Sequence, residues 1–359
     1  MKKCYIIAEA GVNHNGSMEM AKQLIDEASN AGADAVKFQT FNAKNLVTQN
    51  APKAQYQKNS TDQDESQFEM LKKLELTLEN HLELLEHCKK RGIQFLSTPF
   101  DISSVELLTE KLKLTTLKLP SGEITNAPLL LKAAESGANL IVSTGMSTLA
   151  EVEAALGVLA FGYLKADDLI PSLLAFQQAF ASDEGKRILK QKVILLHCTT
   201  EYPAPFNEVN LLAMDTLRES FGLNVGFSDH TEGIAVPIAA AARNAVVIEK
   251  HFTLDRGLSG PDHKASLEPG ELKMMIASIR QIEVSLGTRE KSPTSSEEGN
   301  RVVARRSIVA ARRITQGELF TEENLAIKRP GGGVSPMMLW DLIGKRSDKD
   351  YLSDEMVDI

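Results

Sequence analysis

Gly226-Phe227-Ser228-Asp229-His230 and Ile248-Glu249-Lys250-His251-Phe252 decide how this chain is read. Each is a short apolar run that ends in polar residues and a histidine, and each is followed by a helix-like segment. The histidines lie 21 residues apart (251 − 230), too far for two turns of one helix and right for one strand-loop-helix-strand repeat. If the two runs are adjacent parallel strands, His230 and His251 emerge side by side at one end of a sheet. Parity supports this: Gly226, Ser228 and His230 share one face, and Val247, Glu249 and His251 share another. Two neutral imidazoles on neighbouring strand ends are half of a metal site. The alternative is a pair of buried, hydrogen-bonded imidazoles.

The same alternation runs through the chain. Strand-like runs fall at residues 5–8, 34–39, 93–97, 115–119, 139–143, 192–196, 224–227 and 245–249. Helix-like segments fall at 17–31, 78–91, 101–113, 126–136, 148–159, 208–221, 233–243 and 269–286, several stopped by a glycine such as Gly32, Gly92 or Gly137. Asp101 is placed to cap one of them. Eight strands alternating with helices predict a parallel (β/α)₈ TIM barrel over residues 1–286. A doubly wound open sheet is the competing fold. It is disfavoured because no Gly-x-Gly-x-x-Gly follows the first strand.

Three stretches break the rhythm. Residues 42–64 form a long polar loop, a candidate substrate lid. Residues 163–190 are an extra stretch with some helical pattern. Residues 287–301 read as a linker by composition, and residues 302–359 as a small separate β-rich module.

Bulk properties narrow the classes. The formal charge is 40 − 48 = −8, which disfavours a nucleic-acid surface. No run of 18 apolar residues points to a membrane span. The N-terminus lacks the pattern of a secretion signal, and Cys4, Cys88 and Cys198 are odd in number, which fits a reducing cytoplasm.

In such a barrel the active site lies at the C-terminal strand ends, and polar residues collect there: Glu9, Lys37, Gln39, Thr98, Lys118, Ser121, Glu123, Ser143, Thr144, His197, Ser228, His230, Glu249 and His251. The lysines carry the sharpest signal. Lys37 and Lys118 sit inside apolar parallel strands, where an unpaired charge costs several kcal/mol, so each needs an anion. Either Glu9, Glu123 and Glu249 pair with them, or they hold a phosphate together with Ser121, Ser143 and Ser228 and nearby backbone amides. His230 and His251, completed by water or substrate oxygens, suit Mn²⁺, Zn²⁺, Fe²⁺ or Co²⁺. His81 and His87, on the helix before the third strand, read as surface residues.

These residues resemble the sialic acid synthase family. The resemblance rests on Ile7-Ala8-Glu9-Ala10-Gly11-Val12-Asn13-His14-Asn15-Gly16, Val36-Lys37-Phe38-Gln39-Thr40, Ser97-Thr98-Pro99-Phe100-Asp101, Lys118-Leu119-Pro120-Ser121-Gly122-Glu123, Ser143-Thr144-Gly145-Met146, Gly226 to Thr231, Glu249 to Thr253 and Gly260-Pro261-Asp262-His263, in family order. It extends to the C-terminal module, which resembles an antifreeze-like (SAF) domain. The resemblance implies an enzyme condensing phosphoenolpyruvate with an N-acetylated hexose and water, releasing phosphate. It implies metal binding by His230 and His251, with Mn²⁺ foremost and Mg²⁺ or Co²⁺ as alternatives. It further implies phosphoenolpyruvate contacts at Lys37, Lys118, Ser121, Ser143 and Ser228, and catalytic or sugar-binding carboxylates at Glu9, Glu123 and Asp262. Tyr202 would lie near the substrates. Arg329 would reach the sugar's N-acyl group from the partner subunit of a domain-swapped homodimer. Thr200 departs from the family, where sialic acid synthases often carry asparagine.

The insertion at 163–190 and the run at 199–206 look more like the legionaminic branch, with N-acetylneuraminate and pseudaminate synthases as alternatives. Two readings come from other classes: a Schiff-base aldolase using Lys118, and a non-catalytic sugar-binding protein on the same scaffold.

Overall fold

Residues of high β propensity with little polar interruption build eight parallel strands: β1 (Tyr5–Gly11), β2 (Ala35–Thr40), β3 (Gln94–Pro99), β4 (Thr116–Leu119), β5 (Asn139–Ser143), β6 (Val193–His197), β7 (Asn224–Asp229) and β8 (Val247–His251). This is a computed structural model, and it describes residues 3–53, 65–164 and 170–358. Residues 54–64 of the polar loop and 165–169 of the insertion lie outside the described residues. The strand order is β3-β2-β1-β8-β7-β6-β5-β4, and β3 packs beside β4 to bring the ends of the sheet together. The expected (β/α)₈ architecture is thus present.

Ten helices of this unit are named here: α1 (Met18–Ala31), α2 (Leu78–Arg91), α3 (Ile102–Glu106), α4 (Ala127–Glu135), α5 (Leu149–Leu164), α6 (Leu173–Ala181), α7 (Asp183–Lys192), α8 (Ala213–Phe221), α9 (Ala235–Ala242) and α10 (Pro269–Ser285). Local chemistry sets their ends. Ser17 accepts from Met20 N to open α1, and the left-handed Gly32 closes it. Helix α3 widens into a π-helical turn over Leu107–Lys111. The helix expected over 208–221 begins at Ala213, because Asn210 adopts a left-handed backbone (φ 49°) that a helix cannot pass through.

The sheet has a core on each face. Ile6, Ala8, Val36, Phe38, Leu117 and Leu140 meet the helices. Ile7, Ala35, Leu96, Ile141, Leu196 and Val247 fill the barrel interior. Two residues further along the same strands, the inward positions turn polar: Glu9, Lys37, Thr98, Ser143 and Glu249. Strand parity therefore stacks a polar layer directly on an apolar plug.

The insertion is explained by α5. Nine of its residues are buried, on all sides, so the barrel alone cannot cover it. Helices α6 and α7 pack against it and supply the missing wall.

His81 corrects the sequence reading. It is fully buried, with one ring nitrogen bonded to Thr40 Oγ1 at 2.7 Å and the other to Thr77 O at 2.7 Å. It shares the inward stripe of α2 with Leu84 and Cys88, and its two polar atoms are satisfied there. His87 stays partly exposed and meets Asp26 at 2.8 Å.

The chain divides at Gly287/Thr288. In the second unit, α11 (Ser295–Ala304) starts within the stretch that composition reads as a linker, opened by a Thr294/Glu297 capping box. Two antiparallel strands follow, β9 (Ser307–Ala310) and β10 (Leu325–Lys328). A small core of Ile308, Ile314, Phe320, Leu342, Tyr351 and Val357 holds the unit together. Among the described residues no helix is long and apolar enough to cross a membrane.

Candidate active site

The polar layer opens into a cavity of about 330 Å³ at the C-terminal strand ends. Glu9, Lys37, Lys118, Ser121, Glu123, Ser143, Tyr202, Ser228, His230, His251 and Asp262 line it, whereas Thr144 and His197, also expected at the strand ends, line a separate hollow. They come from β1, β2, β4, β5, β7 and β8 and from the loops beyond the strands. Arg329 belongs to the second unit, where it follows β10 and is exposed.

The charges centre on Glu249. Lys118 Nζ lies 3.3 Å and Lys37 Nζ 3.6 Å from its carboxylate, and Ser228 Oγ donates to it at 2.8 Å. Lys37 also pairs with Glu9 and donates to Thr98 Oγ1 at 2.8 Å. All four charged groups are buried. Burial acts to raise both carboxyls, but they end in opposite places. Glu249, between two ammonium groups, is pulled down to about 2, while Glu9 is pushed up to about 7. Sequence reading offered Glu249 only as one counter-ion among three, yet it is the shared partner of both lysines. Its parity with His251 was the signal.

Beside these charges are small donors. Gly145 N–H donates to Ser121 Oγ at 2.9 Å, and Cys198 Sγ lies 3.0 Å from the same oxygen. A Cβ on Gly145 would fall 2.3 Å from Thr200 Oγ1 and 2.8 Å from both Cys198 Sγ and Ser121 Oγ, so only glycine fits. Ser143 Oγ and Thr200 Oγ1 are buried with no hydrogen-bond partner among the described residues. Orphaned hydroxyls lining the same cavity as two ammonium groups are what an anion would satisfy. Thr200 entered the sequence reading only as a departure from the family, and Cys198 only as one of three cysteines.

The two histidines meet as their strand parity requires, with ring centroids 5.7 Å apart. Burial depresses both, His230 to about 4 and His251 well below its usual range, so both imidazoles are neutral. Nδ1–H of His230 donates to Thr199 O at 2.6 Å, which leaves Nε2 with its lone pair. Nδ1 of His251 is buried without a hydrogen-bond partner, and Asp262 Oδ2 is 3.9 Å from it. Tyr202 covers His230, ring to ring at 4.2 Å. Among the described residues no third His, Cys, Asp or Glu completes a ligand cluster. Two neutral nitrogens thus fit a divalent ion that keeps most positions for water or substrate.

Of the remaining carboxylates, Glu123 accepts from Asn126 Nδ2 at 2.7 Å. Burial pushes Asp262 up to about 6.

Comparison with known proteins places this arrangement. Residues 24–291 match the model of the NeuB family, and residues 305–358 match the SAF domain. The chain belongs to the NeuB family. It is 51% identical to N,N'-diacetyllegionaminic acid synthase of Campylobacter jejuni over 99% of both chains. It is 45% identical to the protein of the same name from Legionella pneumophila, over 96% of this chain and 90% of the relative. Among solved structures, the N-acetylneuraminic acid synthetase of Leptospira borgpetersenii, crystallised with citrate, superposes with a TM-score of 0.67 at 32% identity. That match covers 83% of this chain and 90% of the other. The NeuB and SAF matches agree with the family resemblance read from the motifs.

Proposed function

We propose that the chain condenses phosphoenolpyruvate with 2,4-diacetamido-2,4,6-trideoxymannose and water, giving N,N'-diacetyllegionaminate and phosphate. It is an enzyme, a transferase that forms a C–C bond. The observation that carries the reading is the convergence in one cavity of Lys37 and Lys118, orphaned hydroxyls and two neutral imidazoles. The choice of sugar is supported by the 51% identity to a legionaminic acid synthase, against 32% to the sialic acid synthetase structure.

Lys37 and Lys118 receive the phosphate and carboxylate of phosphoenolpyruvate, with Ser121, Ser143 and Ser228 as neutral partners. Holding that substrate rigidly presents its CH₂ carbon to the sugar's aldehyde carbon. Attack forms the new C–C bond and leaves positive charge on C2 of phosphoenolpyruvate. Water adds there and gives up a proton, the aldehyde oxygen gains one, and the C–O bond to phosphate then breaks while the C2 hydroxyl passes its proton to the departing phosphate, leaving a ketone. Glu9, Glu123 and Asp262 are the carboxylates placed to orient hydroxyls or carry these protons. His230 and His251 would hold a divalent metal, Mn²⁺ foremost, whose chemistry when bound is Lewis-acid polarisation of the aldehyde. Tyr202 walls the sugar end of the cavity. Arg329 reaches the sugar's acyl group from the partner in a domain-swapped homodimer.

The test is phosphate release from phosphoenolpyruvate with Mn²⁺, run in parallel with the diacetamido sugar and with N-acetylmannosamine. Preference for the first supports the proposal. Preference for the second makes this an N-acetylneuraminate synthase. Release with neither, nor with the pseudaminate precursor, sinks the synthase reading. Borohydride trapping of substrate on Lys118 would instead favour an aldolase.

A further inference from the structure

We propose that Asn13, Asn15 and His263 are positioning residues that set the carboxylate of Asp262 against the sugar. The inference deepens the synthase reading and takes the ligand's identity from it.

Asp262 lies in the loop between β8 and α10. The root of that loop is tied, with Leu267 N–H donating to His251 O at 2.9 Å and Thr253 N–H to Leu267 O at 2.8 Å. Between these ties the loop contains only one short 3₁₀ turn, His263–Ala265. Among the described residues the Asp262 carboxylate accepts no hydrogen bond, and the neutral His251 ring lies 3.9 Å from it, beyond hydrogen-bond reach. Its position is therefore set by its backbone. A long loop stays in one conformation only when groups outside it offset the entropy of ordering it.

The β1–α1 loop supplies those groups. Asn13 is buried and donates both amide hydrogens, to Phe252 O at 2.8 Å and to Ser266 Oγ at 2.9 Å. Ser266 Oγ in turn donates to Asp262 O at 2.7 Å. Asn15, in a left-handed conformation (φ 49°), donates to Ser259 O at 2.9 Å and accepts from His263 Nε2 at 3.2 Å. Because Asn15 Nδ2 faces a carbonyl, its Oδ1 faces His263, which fixes the imidazole as the Nε2–H tautomer. His263 Nδ1 is then free to accept from Thr253 Oγ1 at 2.7 Å. Gly260 completes the fit. At φ 152°, a Cβ there would fall 2.6 Å from His263 and 2.8 Å from Asn15 Oδ1. Asp262 is thus held from its own carbonyl through Ser266 and Asn13, and from the next residue through His263 and Asn15.

Asn15→Gly removes the amide while tolerating the left-handed backbone. His263→Leu removes both ring bonds, and His263→Gln retains a group able to donate and accept. Misplacing a substrate-contacting group by about 1 Å costs about 100-fold in rate. With full-length enzyme we expect the sugar KM to rise roughly tenfold or more in Asn15→Gly and His263→Leu. The phosphoenolpyruvate KM should stay within about twofold, and His263→Gln should recover most of the loss. An unchanged sugar KM in folded variants overturns the inference, and so does a parallel rise in both KM values, which marks general loosening. Amide hydrogen exchange over residues 254–266 needs no substrate. The variants should speed it, and unchanged protection overturns the inference whatever the sugar proves to be. A wild-type enzyme that turns over no sugar is a separate result, which removes the synthase reading.

Discussion

Strands β7 and β8 carry buried charge on both faces, and the two faces are finished differently. On the outer face Lys250 and Asp229 meet at 2.6 Å with no exposed side-chain surface. Asp229 Oδ1 also accepts from Thr231 N at 2.9 Å, and Lys250 also donates to Thr231 O. Both carboxylate oxygens of Asp229 are thereby bonded, although the buried Thr231 Oγ1 has no hydrogen-bond partner among the described residues. On the inner face Lys37, Lys118, Glu9 and Glu249 are equally buried, but their contacts to Glu249 stretch to 3.3 and 3.6 Å. Orphaned hydroxyls remain beside them. A closed cluster fastens strand ends together, whereas an open one is a receptor waiting for an anion. Burial alone does not separate the two; the hydrogen bonding of the carboxylates does, complete for Asp229 and lacking at Glu9 Oε2 and Glu249 Oε2.

The largest expected effect is on the closed side. Lys250→Met strands Asp229 in a dry site and should cost about 3–5 kcal/mol in urea unfolding, because an uncompensated buried charge remains. The double variant Asp229→Leu/Lys250→Met should regain most of it. A single variant as stable as wild type would end the comparison. On the open side, Lys118→Met should lower kcat/KM for phosphoenolpyruvate by about 100-fold, or about 2.7 kcal/mol of transition-state binding. It should unfold with a smaller loss than Lys250→Met, since Lys37 still faces Glu249. The comparison breaks if Lys118→Met loses stability while keeping activity.

Acid should act next. Burial holds His14 and His263 down to about 4, below the ordinary imidazole value of 6.5. The unfolded chain then binds more protons than the folded one between those values. The stability contribution is full above about pH 6.5 and is lost as pH falls toward 4. Urea midpoints measured at pH 7 and pH 5 check the sign, and a higher midpoint at pH 5 would refute it. The smallest effect belongs to the surface. Arg313 and Asp350 meet at 3.1 Å but are 67% and 53% exposed, so Arg313→Ala should leave the thermal midpoint unchanged within about 1 °C.

Much of this was legible in the chain. Strand-helix alternation supplied the barrel, and parity put Ser228, His230, Glu249 and His251 on one face. The lysine argument applied to Lys37 and Lys118 also applies to Lys250, which sits in the same kind of strand, and there the sequence signal was present but unused. His81 lay at helical spacing from Leu84 and Cys88, so its burial was readable too. The clamp made by Asn13 and Asn15 was not. It joins loops some 240 residues apart, Asn15 to Ser259 at a separation of 244, and no periodicity records such a meeting.

The all-round apolar character of α5 has a consequence for biosynthesis. Its last residue, Leu164, leaves the ribosome 28 residues (192 − 164) ahead of Lys192, the end of the helices that cover it. At roughly 5–20 residues per second, that interval lasts on the order of seconds. For that time the nascent chain displays an uncovered greasy helix, a surface that a chaperone could shield.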